Sequence, residues 1–233
     1  MQELEFQDSE LGKIIVKTNP RACHIIFRTR PDAVYVTVPL GVSRKEMENA
    51  LERYRAKLLV SKKKVKRENI TLEYKIETEY FKLSMVQGHE NTFFARSKPG
   101  DMQIICPPTA DFFDEDLQAW LRKVIEESLR RNAKNILPLR LAALSQEHHL
   151  PYKEVKINSS QGRWGSCSAQ RTINLSFYLM LLPGRLVDYV LLHELSHTQE
   201  MNHGPNFWLL LNKLTNNKAL VLRNELKKYR TNI

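Results

Sequence analysis

A chain of 233 residues, 42% apolar and 27% charged, can bury a sizeable core, and its composition excludes a disordered or fibrous protein. No apolar run approaches the roughly 20 residues that span a bilayer. The acidic start Met1-Gln2-Glu3-Leu4-Glu5-Phe6 lacks the basic-then-apolar pattern of a signal peptide, so the expected compartment is the cytoplasm and no membrane partner is expected.

The first hundred residues read mainly as strands. Gly12–Lys17 is one; His24–Arg28 and Ala33–Val38 flank a turn at Arg30-Pro31-Asp32 and predict a hairpin. Ser43 followed by Glu46 has the spacing of a capping box, in which each residue satisfies a backbone or side-chain group of the other, and opens a helix over about 43–61. Further strands are expected at Ile70–Thr78, Phe81–Val86, Asn91–Ser97 and Met102–Cys106, and Pro107-Pro108 closes the region. A long helix follows from about Asp111 to His148, with a break expected at Pro138. Its apolar spacing (Leu117, Trp120, Leu121, Val124, Ile125, Leu129) marks one buried face. Strands at Tyr152–Ile157 and Arg171–Leu179 bracket a turn region, and helices are expected over Pro183–Glu200, Pro205–Leu214 and Lys218–Tyr229. Segregated rather than alternating elements predict an α+β fold, with a β-rich N-terminal half and a helical C-terminal half carrying a small sheet. The expected boundary is Pro107-Pro108, giving domains 1–108 and 109–233.

The net charge of +10 favours anionic partners. Its basic residues gather at 53–67 (including Lys62, Lys63, Lys64, Lys66 and Arg67), 122–140 and 213–230, all in or beside expected helices. They read as solvated helix faces, and no nucleic-acid-binding motif with interleaved aromatics accompanies them. Three scattered cysteines (Cys23, Cys106, Cys167) with no CxxC pair exclude a disulfide framework and a thiolate zinc knot.

The chemistry concentrates in Val190-Leu191-Leu192-His193-Glu194-Leu195-Ser196-His197, an H-E-x-x-H pattern on an expected helix. Histidines at i and i+4 share one helix face and can reach one ion. Glu194, beside the first of them, can approach a metal-bound water and act as general base. A catalytic zinc has three protein ligands and one open position. His203, six residues after His197, is the candidate third ligand. Asn202 is expected to end the helix in a left-handed conformation, and Pro205 to start the next. Glu200 is the competing ligand, or a residue that orients one. His24, His89, His148 and His149 have no ligand spacing to the cluster.

Upstream, Gly162-Arg163-Trp164-Gly165-Ser166-Cys167-Ser168 reads as a close-packed turn anchored by Trp164, with Arg163 or the 166–167 backbone able to face a substrate. Cys167 has no local base to activate it as a nucleophile. Arg163-Trp164-Gly165-Ser166-Cys167, Ile173-Asn174-Leu175, the H-E-x-x-H segment and Asn202-His203-Gly204-Pro205-Asn206-Phe207-Trp208 together closely resemble the YgjP-like family of zinc metallopeptidases, which is similar to SprT-like and other zincin-type proteins. Val34–Val42 resembles its N-terminal strand and turn, whereas 62–100 matches nothing placed. The resemblance implies a zincin-like catalytic domain over 109–233, one Zn²⁺ per chain on His193, His197 and His203, and Glu194 as the base.

The leading expectation is therefore a zinc-dependent hydrolase, most simply a metallopeptidase binding an extended peptide along the strand near 171–177. A metal-dependent nucleoside triphosphate pyrophosphatase is the second reading; it suits the charge, but no glycine-rich phosphate loop or acidic Mg²⁺ cluster accompanies it. A nucleic-acid-associated protein with structural zinc is the third; a free Glu194 beside the ligands argues against it, because closed structural sites use four protein ligands.

Overall fold

The structure, a computed structural model, describes residues 3–30, 32–65, 68–230 and 233. The chain divides into two units, Met1–Glu68 and Asn69–Ile233. Among the described residues, no helix is long and apolar enough to cross a membrane.

In the first unit β1 (Glu3–Asp8), β2 (Gly12–Thr18), β3 (Ile26–Thr29) and β4 (Val34–Val38) form a sheet in the order β1-β2-β4-β3. The expected hairpin is present as the antiparallel pair β3/β4, with Pro31 of its turn outside the described residues. β2 and β4 run parallel, and Ile14, Val16, Val34, Val36 and Val38 bury one face against Met47, Leu51 and Leu58 of α1 (Arg44–Val65). The capping box forms: the Ser43 N–H donates to Glu46 Oε2 at 2.8 Å and the Glu46 N–H to Ser43 Oγ at 3.3 Å. β1 was not expected. Its alternating Glu3-Leu4-Glu5-Phe6-Gln7 pairs, among the described residues, with β2 alone, and the hairpin between them is closed by Asp8, whose Oδ1 accepts the N–H groups of Glu10 and Leu11 at 3.0 and 2.8 Å. Arg55 grips the same carboxylate with both Nη atoms, at 3.0 and 2.9 Å, and holds it well below the usual carboxylate range. Lys62 donates to the Leu11 carbonyl at 2.7 Å. Two cations of the 53–67 run thus tie the helix to the sheet; the side chains of Lys63 and Lys64, with Lys66 and Arg67, lie outside the described residues.

The second unit begins with β5 (Ile76–Glu77), β6 (Lys82–Gln87), β7 (Phe94–Lys98) and β8 (Asp101–Cys106) in the order β5-β6-β8-β7. Leu83, Met85, Met102 and Ile104 from this sheet share one core with Leu121, Ile125, Leu129 and Leu137 of α2 (Glu115–Glu147). Pro107-Pro108 therefore lies inside a unit rather than between two. Residues on both sides of the prolines share one core. Of the strand expected at 70–78, Ile76–Glu77 is present; Ile70 pairs instead with a side chain, Gln118 accepting its N–H at 2.8 Å and donating to its carbonyl at 2.9 Å, and a turn closes from the Tyr74 N–H to the Thr71 carbonyl. α2 starts at Asp114, whose side chain accepts the Leu117 N–H, and it runs unbroken through Pro138. A proline inside a helix costs about 3 kcal/mol, offset here by fully buried turns on both sides at Ala133, Leu137 and Leu141.

β9 (Glu154–Asn158), β10 (Gly165–Cys167) and β11 (Thr172–Ser176) form a second small sheet with β11 in the middle, parallel to β9 and antiparallel to β10. The chain then tightens into a 3₁₀ turn at Phe177–Leu181, where a strand had been expected to continue, because the Ser176 hydroxyl accepts the Tyr178 N–H and caps the turn. α3 (Gly184–Ser196), α4 (Pro205–Leu214) and α5 (Ala219–Leu226) complete the unit. Arg140 of α2 fixes α3 by gripping Asp188 at 2.7 and 2.6 Å.

Replacing Gln118 with leucine should lower the stability of the second unit by at least about 2 kcal/mol, because it strands the buried Ile70 N–H and C=O without opening a large cavity. Urea unfolding of the wild type and Gln118→Leu checks this, and equal midpoints would refute it.

Candidate metal centre

α3 is apolar nearly all round. Leu186, Val187, Val190, Leu191 and Leu195 are buried, and so is Glu194 at 5% exposure. His193 and His197, one turn apart, have ring centroids 4.9 Å from each other. The helix ends at Ser196 rather than continuing to Glu200. One more turn, held by Thr198 Oγ1 donating to the Leu195 carbonyl at 2.8 Å and the Glu200 N–H to the Ser196 carbonyl at 2.9 Å, precedes the reversal of the chain. Asn202 does not take the left-handed conformation expected of it. The reversal returns His203 to 5.0 Å from His193 and 4.7 Å from His197, ring to ring. One nitrogen from each of the three imidazoles falls within 4.8 Å of the others. His24, His89, His148 and His149 are not part of the group.

The second-sphere arrangement is specific. His197 Nδ1 donates to the backbone carbonyl of Glu200 at 3.0 Å, which leaves its Nε2 lone pair free. Glu200 thus acts through its main chain, and its carboxylate is not among the converging groups. Phe207, fully buried on α4, stacks on His197 at 4.6 Å and sets its edge or face against His193 and His203 at 4.9 and 4.7 Å. Trp208 lies 6.2 Å from His203 and carries the Arg223 guanidinium 5.1 Å above its ring. Sequence reasoning had not given Phe207 or Arg223 any place here; the apolar run of α4 beginning directly after His203 was the available signal.

Whether these residues suit a metal follows from their charges. Burial, then the neighbouring imidazoles, push His193 down to about 3, and burial also lowers His197. The Nε2 atoms of His193 and His203 face each other at 3.0 Å. Two imidazole nitrogens that close need either a shared proton or a cation between them. Beside them Glu194 Oε2 is buried without a hydrogen-bond partner, and burial raises the carboxyl to about 8 against the opposing field of Arg163. Three imidazole nitrogen donors beside an unpaired buried carboxyl group form a set that a divalent transition ion fits.

β10 packs on α3 beside Glu194. Gly165 lies directly against Glu194, and Trp164, half-buried, joins the core as expected of the turn's anchor. Its carbonyl accepts the Ser176 N–H at 2.9 Å, while Gln161 donates to Tyr178 and Tyr178 to Glu126, at 2.9 and 2.7 Å. Cys167 is pushed up to about 11 by burial and then by Glu194, so it stays a thiol at neutral pH and has no activated nucleophile's character.

The YgjP-like family, described as a metallopeptidase domain, matches residues 23–229. The chain belongs to this family. The match runs through 62–100, where the sequence had suggested no counterpart. A solved structure is also similar over part of its length: the crystal structure of the metallopeptidase zymogen of Pyrococcus abyssi abylysin, 20% identical, covering 40% of this chain and 94% of that one at a TM-score of 0.36. No curated protein matches. Membership of a metallopeptidase family implies a metal ion, and the three histidines are where this YgjP-like chain could bind one.

Two outcomes test the geometry. His203→Ala should weaken metal binding by more than the ~100-fold typical of changes outside the ligand shell, whereas Glu200→Ala should leave it within about threefold because the carbonyl remains. Competition with a chromogenic chelator ranks the two. The metal-free protein should also be most stable near pH 5–6. His193, depressed to about 3, loses stability as pH falls below its unfolded value, and Glu194, raised to about 8, loses it as pH rises above its own. Melting temperatures in a chelating buffer across that range check the sign; a stability that rose steadily towards pH 8 would contradict it.

Proposed function

We propose that this chain is a zinc-dependent peptidase in which His193, His197 and His203 hold the ion and Glu194 is the general base. The observation that supports it is the convergence of three imidazole nitrogens within 4.8 Å beside a buried carboxyl group with an unpaired oxygen. Bound there, a zinc ion would polarise the scissile carbonyl and make a water acidic near neutral pH. Glu194 takes a proton from the attacking water as the new C–O bond forms. It returns that proton to the amide nitrogen as the C–N bond breaks. Arg163, whose charge reaches Glu194, favours the ionised carboxylate that the first step requires. The ladder for an extended peptide is β10 rather than the strand near 171–177: β11 has partners on both sides, whereas β10 pairs with β11 alone among the described residues.

The second reading, hydrolysis of a nucleoside triphosphate, draws on two cations at the site, Arg163 acting on Glu194 and Arg223 on His193. One experiment separates them: zinc-loaded wild type and Glu194→Gln are assayed on a quenched-fluorescent peptide library and on the four ribonucleoside triphosphates. The expected result is peptide cleavage by the wild type, reduced by about 10²–10⁴ in the variant with zinc retained. Triphosphate hydrolysis without peptide cleavage would overturn the peptidase assignment, and full activity of Glu194→Gln would remove the base.

A further inference from the structure

Resting on the reading of Glu194 as general base, we propose that Gly165 is a positioning residue for that carboxylate, holding it in place by having no side chain. A Cβ built on Gly165 meets Glu194 Oε1 at 2.6 Å, Cγ at 2.7 Å and Cδ at 2.9 Å, and these are its three nearest neighbours. All three distances are shorter than any ordinary carbon contact, so residue 165 and Glu194 compete for one volume. The backbone of Gly165 cannot yield easily. Its strand is locked to β11 by the Gly165↔Leu175 register, and the preceding Trp164 carbonyl accepts from Ser176 at 2.9 Å. The Glu194 backbone is fixed within α3, whose flanking residues are buried, so the part free to move is the Glu194 side chain itself.

Gly165 is not required by its own conformation, because its φ is not positive, unlike that of Gly12, Gly41 and Gly100. An L-residue could adopt its backbone. What it could not do is leave room for Glu194. Gly162, three positions earlier in the same segment, meets nothing within 4 Å and serves as the control. The segment therefore contains one glycine that spaces the base and another with open space around it.

The test uses zinc-loaded wild type, Gly165→Ala, Gly162→Ala and Glu194→Gln, with acetohydroxamate as the probe. Its oxygens bind zinc and its hydroxyl proton needs a carboxylate acceptor, so it reports the position of Glu194 without turnover. In Gly165→Ala, chelator competition should show zinc affinity within about twofold of wild type, since no ligand is touched. Acetohydroxamate affinity by calorimetry should fall about tenfold or more, as in Glu194→Gln, because a charged hydrogen bond is lost. On a peptide cleaved by the wild type, kcat should fall by about 10²-fold with KM little changed, as expected when a catalytic group is displaced. Gly162→Ala should match wild type throughout. Wild-type acetohydroxamate affinity in Gly165→Ala, with Glu194→Gln weakened, overturns the positioning role and leaves the base intact. No effect of Glu194→Gln on the probe overturns the base reading instead. Should Gly165→Ala fail to fold, adding Glu194→Ala removes every atom of the clash and must restore folding; continued misfolding would show that Gly165 answers to some other neighbour.

Discussion

Three imidazoles meeting at one point, two of them on a largely buried helix, can be neutral or can share a cation. For His193 and His197, taking up a proton carries a desolvation penalty, and His193 at about 3 expresses it. Much of the second unit follows from placing them there. α3 must be buried to make the rings poor bases, so it carries apolar residues on almost every side. Arg140 and Asp188 fix it to α2, and Phe207 packs against all three rings so that the reversal after Ser196 has a solid floor.

The same burial acts on Glu194 in the opposite sense. A carboxyl group at 5% exposure, with one oxygen unpaired, resists ionisation unless a positive charge stands near it. Arg163 supplies part of that charge from a loop tied down at Gln161 and Trp164. His193, His197 and Glu194 are thus shifted by one low-polarity environment, and Gly165 of β10 packs against the carboxyl group.

How much of this could be read in advance depended on range. The capping box at Ser43 and Glu46, the alternating strands β6 and β8 and the two histidines on α3 are local patterns, and each was legible. His203 was legible as a candidate because it is only the sixth residue after His197. Hidden were the features made by distant partners: Gln118 standing in for a strand beside Ile70, 48 positions away, and Gly165 against Glu194. The helix boundary after Ser196 was misplaced because the turn is held by hydroxyl and backbone contacts that apolar periodicity does not register. The boundary at Pro107-Pro108 followed a local proline signal, yet the elements on both sides of it share one core, which no local signal reveals.

β10 is three residues long. At about 3.3 Å per residue, a strand of that length offers a ladder of roughly 10 Å. Main-chain pairing over so short a distance can hold a polypeptide straight past Glu194 but cannot distinguish one stretch of sequence from another. On the peptidase reading, selection would then rest on which chains can be drawn out flat at all: frayed termini and unfolded loops would reach the site, and residues already paired within a sheet or helix would not.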